Sequence, residues 1–445
     1  MPKADHPSFQ EFRPSVFSRR DFVRAILAGT ALSGAALAEA NAGIYQSITS
    51  LNAKYLDDEA PDGVYWEGIR SQFLFQDHLI MMNNGTVGPM PKPVFNRLMR
   101  AFRTQAENPY DVYNFLPNFQ EGVRTKLAAF INASPDEVAL TSNTTEGINF
   151  VVNGLDLKAG DEVLISNLEH PGCLGPLGLK AKRQGIVLKE VRIGPPHKDT
   201  AEIVRAFQTA ITSRTKLIVV GHTVFITGLI TPIRELSRMA HEKGLLILAD
   251  SAHGLGIMNL NMKDLGVDFF CSSPYKWMGT PTGIGLLYVR KEVQDNVWPT
   301  VVSTGWDKAA GARKFDPSGQ RADAMILALD EALDFQNRIG KVRIERRIKA
   351  LSGHLKQGLA KIPGVKINTP SDPYLSAGLT AFAVEGVDPN RIVDYVREKY
   401  NLVVRTIGNK DAGTLGVRVS TPIYISTKEV DLLLEGVDRL ARNRT

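Results

Sequence analysis

Cysteine is scarce in this chain. Of 445 residues only two are cysteines, Cys173 and Cys271, and neither belongs to a CxxC pair. This spacing excludes a framework of disulfides and a thiolate metal site. Because free cysteine is common in protein interiors, we interpret both as unpaired small hydrophobic residues. A single disulfide between them is the alternative if the protein is exported.

Long apolar runs and clustered positive charge are also missing. The N-terminal apolar run, Ala25–Leu37, is short and rich in Gly, Ala, Ser and Thr, so we expect no membrane span after processing. The formal net charge is only +6, and no basic stripe indicates a nucleic-acid partner. With 43% hydrophobic and 22% charged residues, the chain has the composition of a globular protein long enough for two domains.

The N-terminus has the order of a signal peptide. Ser18–Arg24 contains an Arg pair, Ala25–Leu37 is apolar, and Ala38–Ala40 (Ala-Glu-Ala) fits an A-x-A cleavage site. The pattern S-R-R-x-F resembles a twin-arginine signal, which directs export of a protein that is already folded. We therefore predict a signal peptide over residues 1–40 and a periplasmic or secreted protein. A chance Arg pair on an amphipathic helix is the alternative.

The rest of the chain first alternates between short β-branched runs and amphipathic segments. This alternation is typical of an α/β fold, a mainly parallel sheet with helices on its faces. The segments predicted as buried strands are Val138–Thr141, Glu162–Ser166, Ile186–Val191, Lys216–Gly221, Leu245–Asp250, Phe269–Ser272 and Gly285–Val289.

The pattern changes near residue 322. A long helical stretch over 321–362 precedes further helical and strand-like segments, which predict a smaller α+β domain. These segments are a strand at Leu379–Val384, a helix near Asn390–Lys399, strands at Leu402–Thr406 and Val417–Ser420, and a helix at Lys428–Arg442. We predict an N-terminal arm over 41–72, a large domain over 73–321 and a small domain over 322–445.

A carboxylate lies where α/β sheets bind ligands. The apolar run 245–249 leads into Asp250–His253 (Asp-Ser-Ala-His), so Asp250 falls at the carboxyl end of a buried parallel strand. A strand-end Asp also often caps the following helix, and that alternative applies to Asp250 taken alone.

A lysine lies among hydroxyl, aromatic and glycine residues instead of among charges. The segment 272–277 (Ser-Ser-Pro-Tyr-Lys-Trp) is followed by Gly279 and by 281–285 (Pro-Thr-Gly-Ile-Gly). The hydroxyls can hydrogen-bond a phosphate, and the glycines let the backbone approach a ligand. The apolar surroundings favour a low pKa at Lys276, whose amine could then form an imine.

A third motif, 141–147 (Thr-Ser-Asn-Thr-Thr-Glu-Gly), joins a predicted strand to a predicted helix. Donor-rich residues at a helix N-terminus form an anion site, because free backbone N–H groups and the helix dipole point towards it. Asn143 and Glu146 also fit a capping box, and the two interpretations are compatible.

Together the three motifs indicate pyridoxal phosphate (PLP), which needs a carboxylate at its ring nitrogen, an amine and a phosphate site. With these motifs the sequence resembles the class V aminotransferase family, which includes cysteine desulfurases and isopenicillin N epimerase-like enzymes. The resemblance covers roughly residues 79–422. It implies a PLP-dependent transferase fold of type I, a PLP-binding large domain and a homodimer. A cofactor loaded before export also agrees with a signal for folded proteins.

The resemblance implies roles for individual residues. Lys276 would form a Schiff base with PLP, Asp250 would pair with the pyridinium nitrogen, and His253 would hydrogen-bond the phenolic oxygen. His170 would stack on the ring, and a structural histidine is the alternative. Gln320 stands where the family usually has Thr, in a loop that reaches the phosphate of the dimer partner. The residues implied to hold the phosphate are Thr144, Thr145, Ser273 and Tyr275.

The resemblance also implies where the substrate binds. Arg418 and Arg405 match the carboxylate-binding region, and an ordinary ion pair is the alternative for Arg405. Asn84 lies in an Asn-Gly stretch expected near the substrate, and a turn is its alternative. Cysteine desulfurases carry a nucleophilic Cys between two such arginines, but segment 406–417 contains none. Phe225 stands where desulfurases have Asn, which predicts an altered substrate pocket.

These features predict an enzyme that acts on the amino group of an amino acid or peptide-derived metabolite. Lys276 would move the α-proton as a general base. Transamination is the leading hypothesis, and epimerisation or elimination by a C–S or β lyase is the second. An exported member without the desulfurase cysteine is similar to the periplasmic branch that acts in pyoverdine siderophore maturation. Two other classes stay open, a non-catalytic protein of the PLP fold and a metal hydrolase using His170, His222 and His253.

Overall fold

The structure is a computed structural model that describes residues 62–194, 199–316, 319–408 and 413–443. The signal peptide predicted over 1–40 and most of the arm predicted over 41–72 lie outside the described residues, so both stay predictions. Residues 62–445 form one unit by their contacts, and the predicted division near residue 321 also stays a prediction. No helix in the described ranges has both the length and the apolar character needed to cross a membrane.

Thirteen strands are found in the described ranges. They are β1 (Ile80–Met81), β2 (Val138–Thr141), β3 (Glu162–Ser166), β4 (Val187–Val191), β5 (Thr215–Gly221), β6 (Leu246–Asp250), β7 (Phe269–Ser272), β8 (Gly285–Val289), β9 (Val365–Ile367), β10 (Leu379–Val384), β11 (Leu402–Val403), β12 (Arg405–Ile407) and β13 (Gly416–Ser420). The seven strands predicted between residues 138 and 289 are all present, with bounds that differ from the prediction by at most one residue.

Seven of these strands form the central sheet, in the order β2-β8-β7-β6-β5-β3-β4. The neighbours from β4 to β7 are parallel, and β8 runs antiparallel to both β7 and β2. The predicted α/β fold with a mainly parallel sheet is therefore confirmed. One detail was wrong, because β4 lies at the sheet edge and exposes Val187 instead of being buried.

Helices cover the sheet and form the remaining layers. Their ranges are α1 (Asp62–Arg70), α2 (Lys92–Glu107), α3 (Pro109–Phe130), α4 (Thr144–Gly154), α5 (Pro171–Gln184), α6 (Thr200–Ala210), α7 (Ile233–Glu242), α8 (Met262–Leu265), α9 (Ala324–Ile339), α10 (Lys341–Leu359), α11 (Pro389–Tyr400) and α12 (Thr427–Arg442). The single helical stretch predicted over 321–362 is two helices. Gly340 has a φ of +91°, which L side chains rarely adopt, and it ends α9 before α10 begins.

A second sheet of four antiparallel strands has the order β12-β13-β10-β9. The strand predicted over 402–406 is divided in two, because β12 joins this sheet whereas β11 pairs in parallel with β1. Strand β1 precedes the central sheet in the chain, so this pairing brings residues near 80 against residues near 402.

The parallel strands end together at one edge of the central sheet. Strands β5 and β6 are buried over residues 217–221 and 247–250, and in the register of the sheet Gly221 lies opposite Asp250, which lies opposite Cys271. Burial on both faces explains the continuous apolar runs seen in the sequence. The carboxyl ends of these strands therefore place Asp250 and the segment after Ser272 side by side.

Candidate active site

Asp250 is a buried carboxyl at the end of β6. Its Oδ1 accepts a hydrogen bond of 3.1 Å from the backbone N–H of Ala252. Burial raises the pKa of Asp250, and the N–H of Ala252 and the nearby Lys276 oppose that rise. No ion pair is formed by Asp250 within the described part of the chain, so its carboxyl can still meet a cationic ring nitrogen.

Lys276 is also buried, and its pKa is lowered to about 8. Burial is the main cause, Asp250 opposes it, and the positive charge of Arg418 lowers the pKa further. Its backbone is held on both sides, because Lys276 N donates to Ser273 O at 3.1 Å and Asn84 Nδ2 donates to Lys276 O at 2.9 Å. Lys276 is therefore a positioned amine that is partly neutral near pH 8.

The N-terminus of α4 lies against the segment that carries the lysine. Thr144 N donates to Ser273 Oγ at 3.0 Å, and the hydroxyl oxygens of Thr144 and Ser273 are 2.7 Å apart. Thr145 is exposed next to them. Asn143 caps the helix by accepting from Glu146 N at 2.9 Å, so the capping interpretation is confirmed. The anion site at this helix N-terminus stays a prediction.

His170 precedes α5 as its N-cap. Its Nδ1 accepts from the N–H of Gly172 at 2.9 Å, so Nδ1 carries no proton. Desolvation by neighbouring atoms and the charges of Lys276, Arg418 and Arg405 lower the pKa of His170 to about 4. A neutral imidazole would not repel a cationic pyridinium ring, and the predicted stacking of His170 on that ring stays a prediction. The Phe225 ring contacts its edge, with centroids 4.6 Å apart at 75°.

Arg418 is the buried cation of the site, with 2% of its surface exposed. Its Nη1 donates to Phe225 O at 3.1 Å, and its Nη2 lies 3.3 Å from Thr86 Oγ1. Its Nε has no partner, and no carboxylate pairs with it in the described ranges. A side chain at Gly85 would come within 2.6 Å of the guanidinium, which would then have to shift.

Arg405 lies directly opposite Arg418 in the register of β12 and β13. It is exposed, and its Nη1 donates to Thr86 Oγ1 at 3.2 Å, so both arginines contact the same hydroxyl. Like charges directly opposite each other in a sheet are destabilising, and an anion between them removes that repulsion. No ion pair of Arg405 is found among the described residues.

Three residues predicted to contact the substrate or the phosphate are Asn84, Tyr275 and Gln320. The Asn84 amide is buried, and it donates to Lys276 O and accepts from the Tyr424 hydroxyl. Its predicted position near the substrate stays a prediction. Tyr275 is half-buried, and its carbonyl accepts from Gly88 N at 3.1 Å. Gln320 is exposed. The phosphate contacts of Tyr275 and Gln320 stay predictions.

Both cysteines are free and buried, as interpreted from the sequence. The histidines proposed for the metal-hydrolase alternative have other neighbours. His222 Nδ1 lies 3.0 Å from Ser251 Oγ, and His253 Nδ1 accepts from Trp277 Nε1 at 3.2 Å. No group of three or more His, Cys, Asp or Glu is placed to hold a metal ion in the ranges that the structure describes.

Sequence reasoning missed Glu169, a buried carboxyl next to His170. Its Oε1 accepts from Ser166 Oγ and, at 3.1 Å, from Gly221 N, whereas its Oε2 has no partner. Burial raises its pKa to about 7, and Asp250 contributes to the rise. In the sequence only its position before His170 marked it.

Replacing Glu169 with glutamine is expected to change how stability depends on pH. The folded protein holds the Glu169 proton up to about pH 7, whereas the unfolded chain loses it near the ordinary value of 4.5. Stability of the wild-type protein should therefore fall between these pH values, by an amount on the order of 3 kcal/mol. Glu169→Gln keeps the acceptor oxygen and removes the charge.

Urea unfolding of the cofactor-free proteins at pH 5 and pH 8 measures this effect. The free energy of unfolding of Glu169→Gln, relative to wild type, should be higher at pH 8 than at pH 5. The same change in the free energy of unfolding between pH 5 and pH 8 in both proteins would contradict the prediction.

These groups define the class of the protein. A positioned lysine of lowered pKa, a buried carboxyl at the sheet edge and a hydroxyl-lined helix N-terminus fit the amine, ring-nitrogen and phosphate requirements of PLP, so the site is that of a PLP-dependent enzyme. The chain belongs to the family Aminotransferase class-V, whose model matches residues 83–433.

Individual relatives agree with this assignment. The chain is 29% identical to isopenicillin N epimerase of Streptomyces clavuligerus over 392 residues, which cover 84% of this chain and 98% of the relative. It is 31% identical over 344 residues to a cysteine desulfurase of Cronobacter sakazakii, covering 72% and 82% of the two chains. A solved structure of a C-DES lysine variant with glycine covalently linked to the PLP cofactor matches with a TM-score of 0.75 and 25% identity, over 84% of this chain and 98% of that one.

Covalent uptake of PLP by the cofactor-free protein is expected to follow the ionisation of Lys276. Because only the neutral amine reacts, the rate should rise about tenfold per pH unit below pH 8 and level off above it. The rate at which the visible absorption band of bound PLP develops, measured from pH 6 to pH 10, gives the midpoint.

Two variants test the cause of this pKa. Arg418→Gln removes a positive charge and should move the midpoint to higher pH, whereas Asp250→Asn removes a negative charge and should move it to lower pH. Shifts in the same direction would contradict the electrostatic explanation.

Proposed function

We propose that this protein is a PLP-dependent enzyme that acts on the amino group of a carboxylate-bearing substrate, an amino acid or a peptide-derived metabolite. Transamination is its leading reaction. The observation that carries the proposal is Arg418, a buried guanidinium without a carboxylate partner in the described ranges, electrostatically coupled to Lys276. A buried cation of this kind fits a carboxylate delivered by the substrate.

Each side chain of the site has its own role in the proposed reaction. PLP, when bound, supplies an electron sink for the bonds at the substrate α-carbon. Asp250 would keep the ring nitrogen protonated, and Thr144 and Ser273 would hold the phosphate. Arg418, assisted by Arg405, would bind the carboxylate and so orient the α-carbon. The Lys276 amine, once released, would take the α-proton, since its pKa of about 8 suits a general base near neutral pH.

The second candidate is an epimerase, or a lyase that eliminates at the β-carbon, because all three reactions share α-proton removal. The similarity to isopenicillin N epimerase and to C-DES, a cystine C–S lyase, supports keeping both. Sulfur transfer through a loop cysteine is not proposed, because segment 406–417 contains no cysteine.

Incubation of the PLP-loaded protein with amino acids and short peptides in D2O tests the proposal. Deuterium at the α-carbon is expected for accepted substrates, and it should be absent with Lys276→Ala. Mass spectrometry then identifies a keto product from transamination or a β-elimination product, and chiral chromatography identifies an epimer. No deuterium uptake from any amine would favour a non-catalytic protein of the PLP fold.

The cellular location and the oligomeric state are proposed from the N-terminal sequence and from the family resemblance. We propose export through the twin-arginine signal over residues 1–40 and a homodimer in which Gln320 lies near the partner's phosphate site. A double variant, Arg19→Lys with Arg20→Lys, should stay in the cytoplasm, and cell fractionation measures this. Light scattering of the processed protein should give twice the chain mass.

A further inference from the structure

Trp277 and His253 form a buried hydrogen bond beside the site. His253 follows strand β6 three residues after Asp250, and Trp277 directly follows Lys276. Both side chains are buried, and Trp277 Nε1 donates to His253 Nδ1 at 3.2 Å. This contact joins the segment after the carboxyl to the segment that carries the lysine.

The chemistry of the indole determines the protonation of the imidazole. An indole nitrogen can only donate, so the nitrogen of His253 that accepts from it, Nδ1, carries no proton. Burial holds the pKa of His253 well below its ordinary value, and Lys276, Arg418 and His170 lower it further. A neutral ring with an unprotonated Nδ1 has its one proton on Nε2.

We propose that Trp277 is a positioning residue that fixes His253 in the Nε2–H tautomer, so that His253 presents a hydrogen-bond donor to the phenolic oxygen of PLP. This inference rests on the PLP site proposed above. The opposite tautomer would point a lone pair from Nε2 at an electron-rich oxygen, which is repulsive. Trp277 therefore decides the sign of the interaction between His253 and the cofactor.

The indole of Trp277 lies close to residues from the C-terminal part of the chain. A side chain at Gly378, which directly precedes β10, would come within 2.9 Å of the six-membered ring of Trp277 and of Ile348 on α10. The six-membered ring of the buried Trp277 side chain therefore lies beside Gly378, where a side chain would not fit. Because the indole has little room to turn, its N–H stays directed at His253.

Nuclear magnetic resonance of the imidazole nitrogens tests the proposal without any cofactor. The chain has eight histidines, so protein labelled with 15N only in histidine gives a tractable long-range 1H–15N spectrum, and His253→Gln identifies the His253 signals by their loss. We expect the cofactor-free wild-type protein to show His253 protonated at Nε2. Trp277→Phe, which keeps an aromatic ring but lacks the N–H, should give a mixture of the two tautomers.

A matched control is Trp298→Phe, because Trp298 is 62% exposed and should leave the His253 signals unchanged. A wild-type His253 protonated at Nδ1 would overturn the proposal, as would an unchanged Nε2–H tautomer in Trp277→Phe. If the Trp277 variant does not fold, the wild-type spectrum still tests the proposal, because it shows which nitrogen of His253 carries the proton.

The dissociation constant of PLP separates this role from a purely structural one. Trp277→Phe should weaken PLP binding about tenfold, the lower end of the effect of losing one hydrogen bond to a charged group, because part of the His253 population keeps the donor tautomer. In a His253→Phe background the same substitution should have almost no effect, because the donor is already gone. Equal weakening in both backgrounds would overturn the proposal. Failure of all variants and the wild type to bind PLP would instead refute the cofactor site, while the tautomer measurement would still stand.

Discussion

Lys276→Ala is expected to abolish the visible absorption band of covalently bound PLP and to lower α-proton exchange by at least about 10³-fold. The alanine variant lacks the amine that links the cofactor and moves the proton. Its fold should be retained, because Lys276 is held by backbone hydrogen bonds to Ser273 and Asn84 that do not involve the side chain.

Borohydride reduction followed by peptide mass spectrometry gives a direct measurement. In the wild-type protein the mass of reduced PLP should be found on the peptide that contains Lys276, and in Lys276→Ala on no peptide. Lys366→Ala, at an exposed position of β9, is the matched control and should behave as wild type. PLP attached to another lysine in the wild-type protein would refute the assignment.

Arg418→Gln is expected to weaken binding of amino acids by roughly 100-fold, the loss typical of a buried charge pair. Arg418→Lys should give an intermediate loss, because an ammonium keeps the charge but cannot make two parallel hydrogen bonds. Arg405→Gln should have a smaller effect, about tenfold or less, since Arg405 is exposed and screened by solvent.

Spectral titration of the PLP-loaded proteins with L-alanine and with ethylamine measures these effects. Ethylamine has no carboxylate, so Arg418→Gln should leave its affinity nearly unchanged. An equal loss for both amines would show that Arg418 supports the fold of the site and does not bind the carboxylate.

Much of the fold and the centre of the site could be predicted because they depend on local sequence. Buried parallel strands need continuous apolar runs. Asp250 ends one such strand, and Lys276 lies in the short segment that follows the next one. The helix N-terminus at Thr144 is marked by its own capping residue. The central sheet, its parallel strands and the PLP site follow from these short segments.

Contacts between distant segments were not predictable in the same way. The Asn-Gly stretch gives no sign that Asn84 turns towards Lys276 and Tyr424, which lie 192 and 340 residues away. Glu169 and Trp277 carry no motif of their own, and their roles depend on burial and on partners from other strands. The break at Gly340 was missed because the apolar periodicity continues through it.

The parallel pairing of β1 with β11 has a consequence for how the protein is made. Residues near 80 leave the ribosome long before residues 402–403, yet Asn84, Lys276, Arg418 and Tyr424 belong to one connected group. Contacts of such high sequence separation form slowly and late in folding. A nascent chain ending before β11 would lack both the strand that anchors β1 and the cation that tunes the lysine. We therefore expect the cofactor to be captured only after these C-terminal residues have been synthesised.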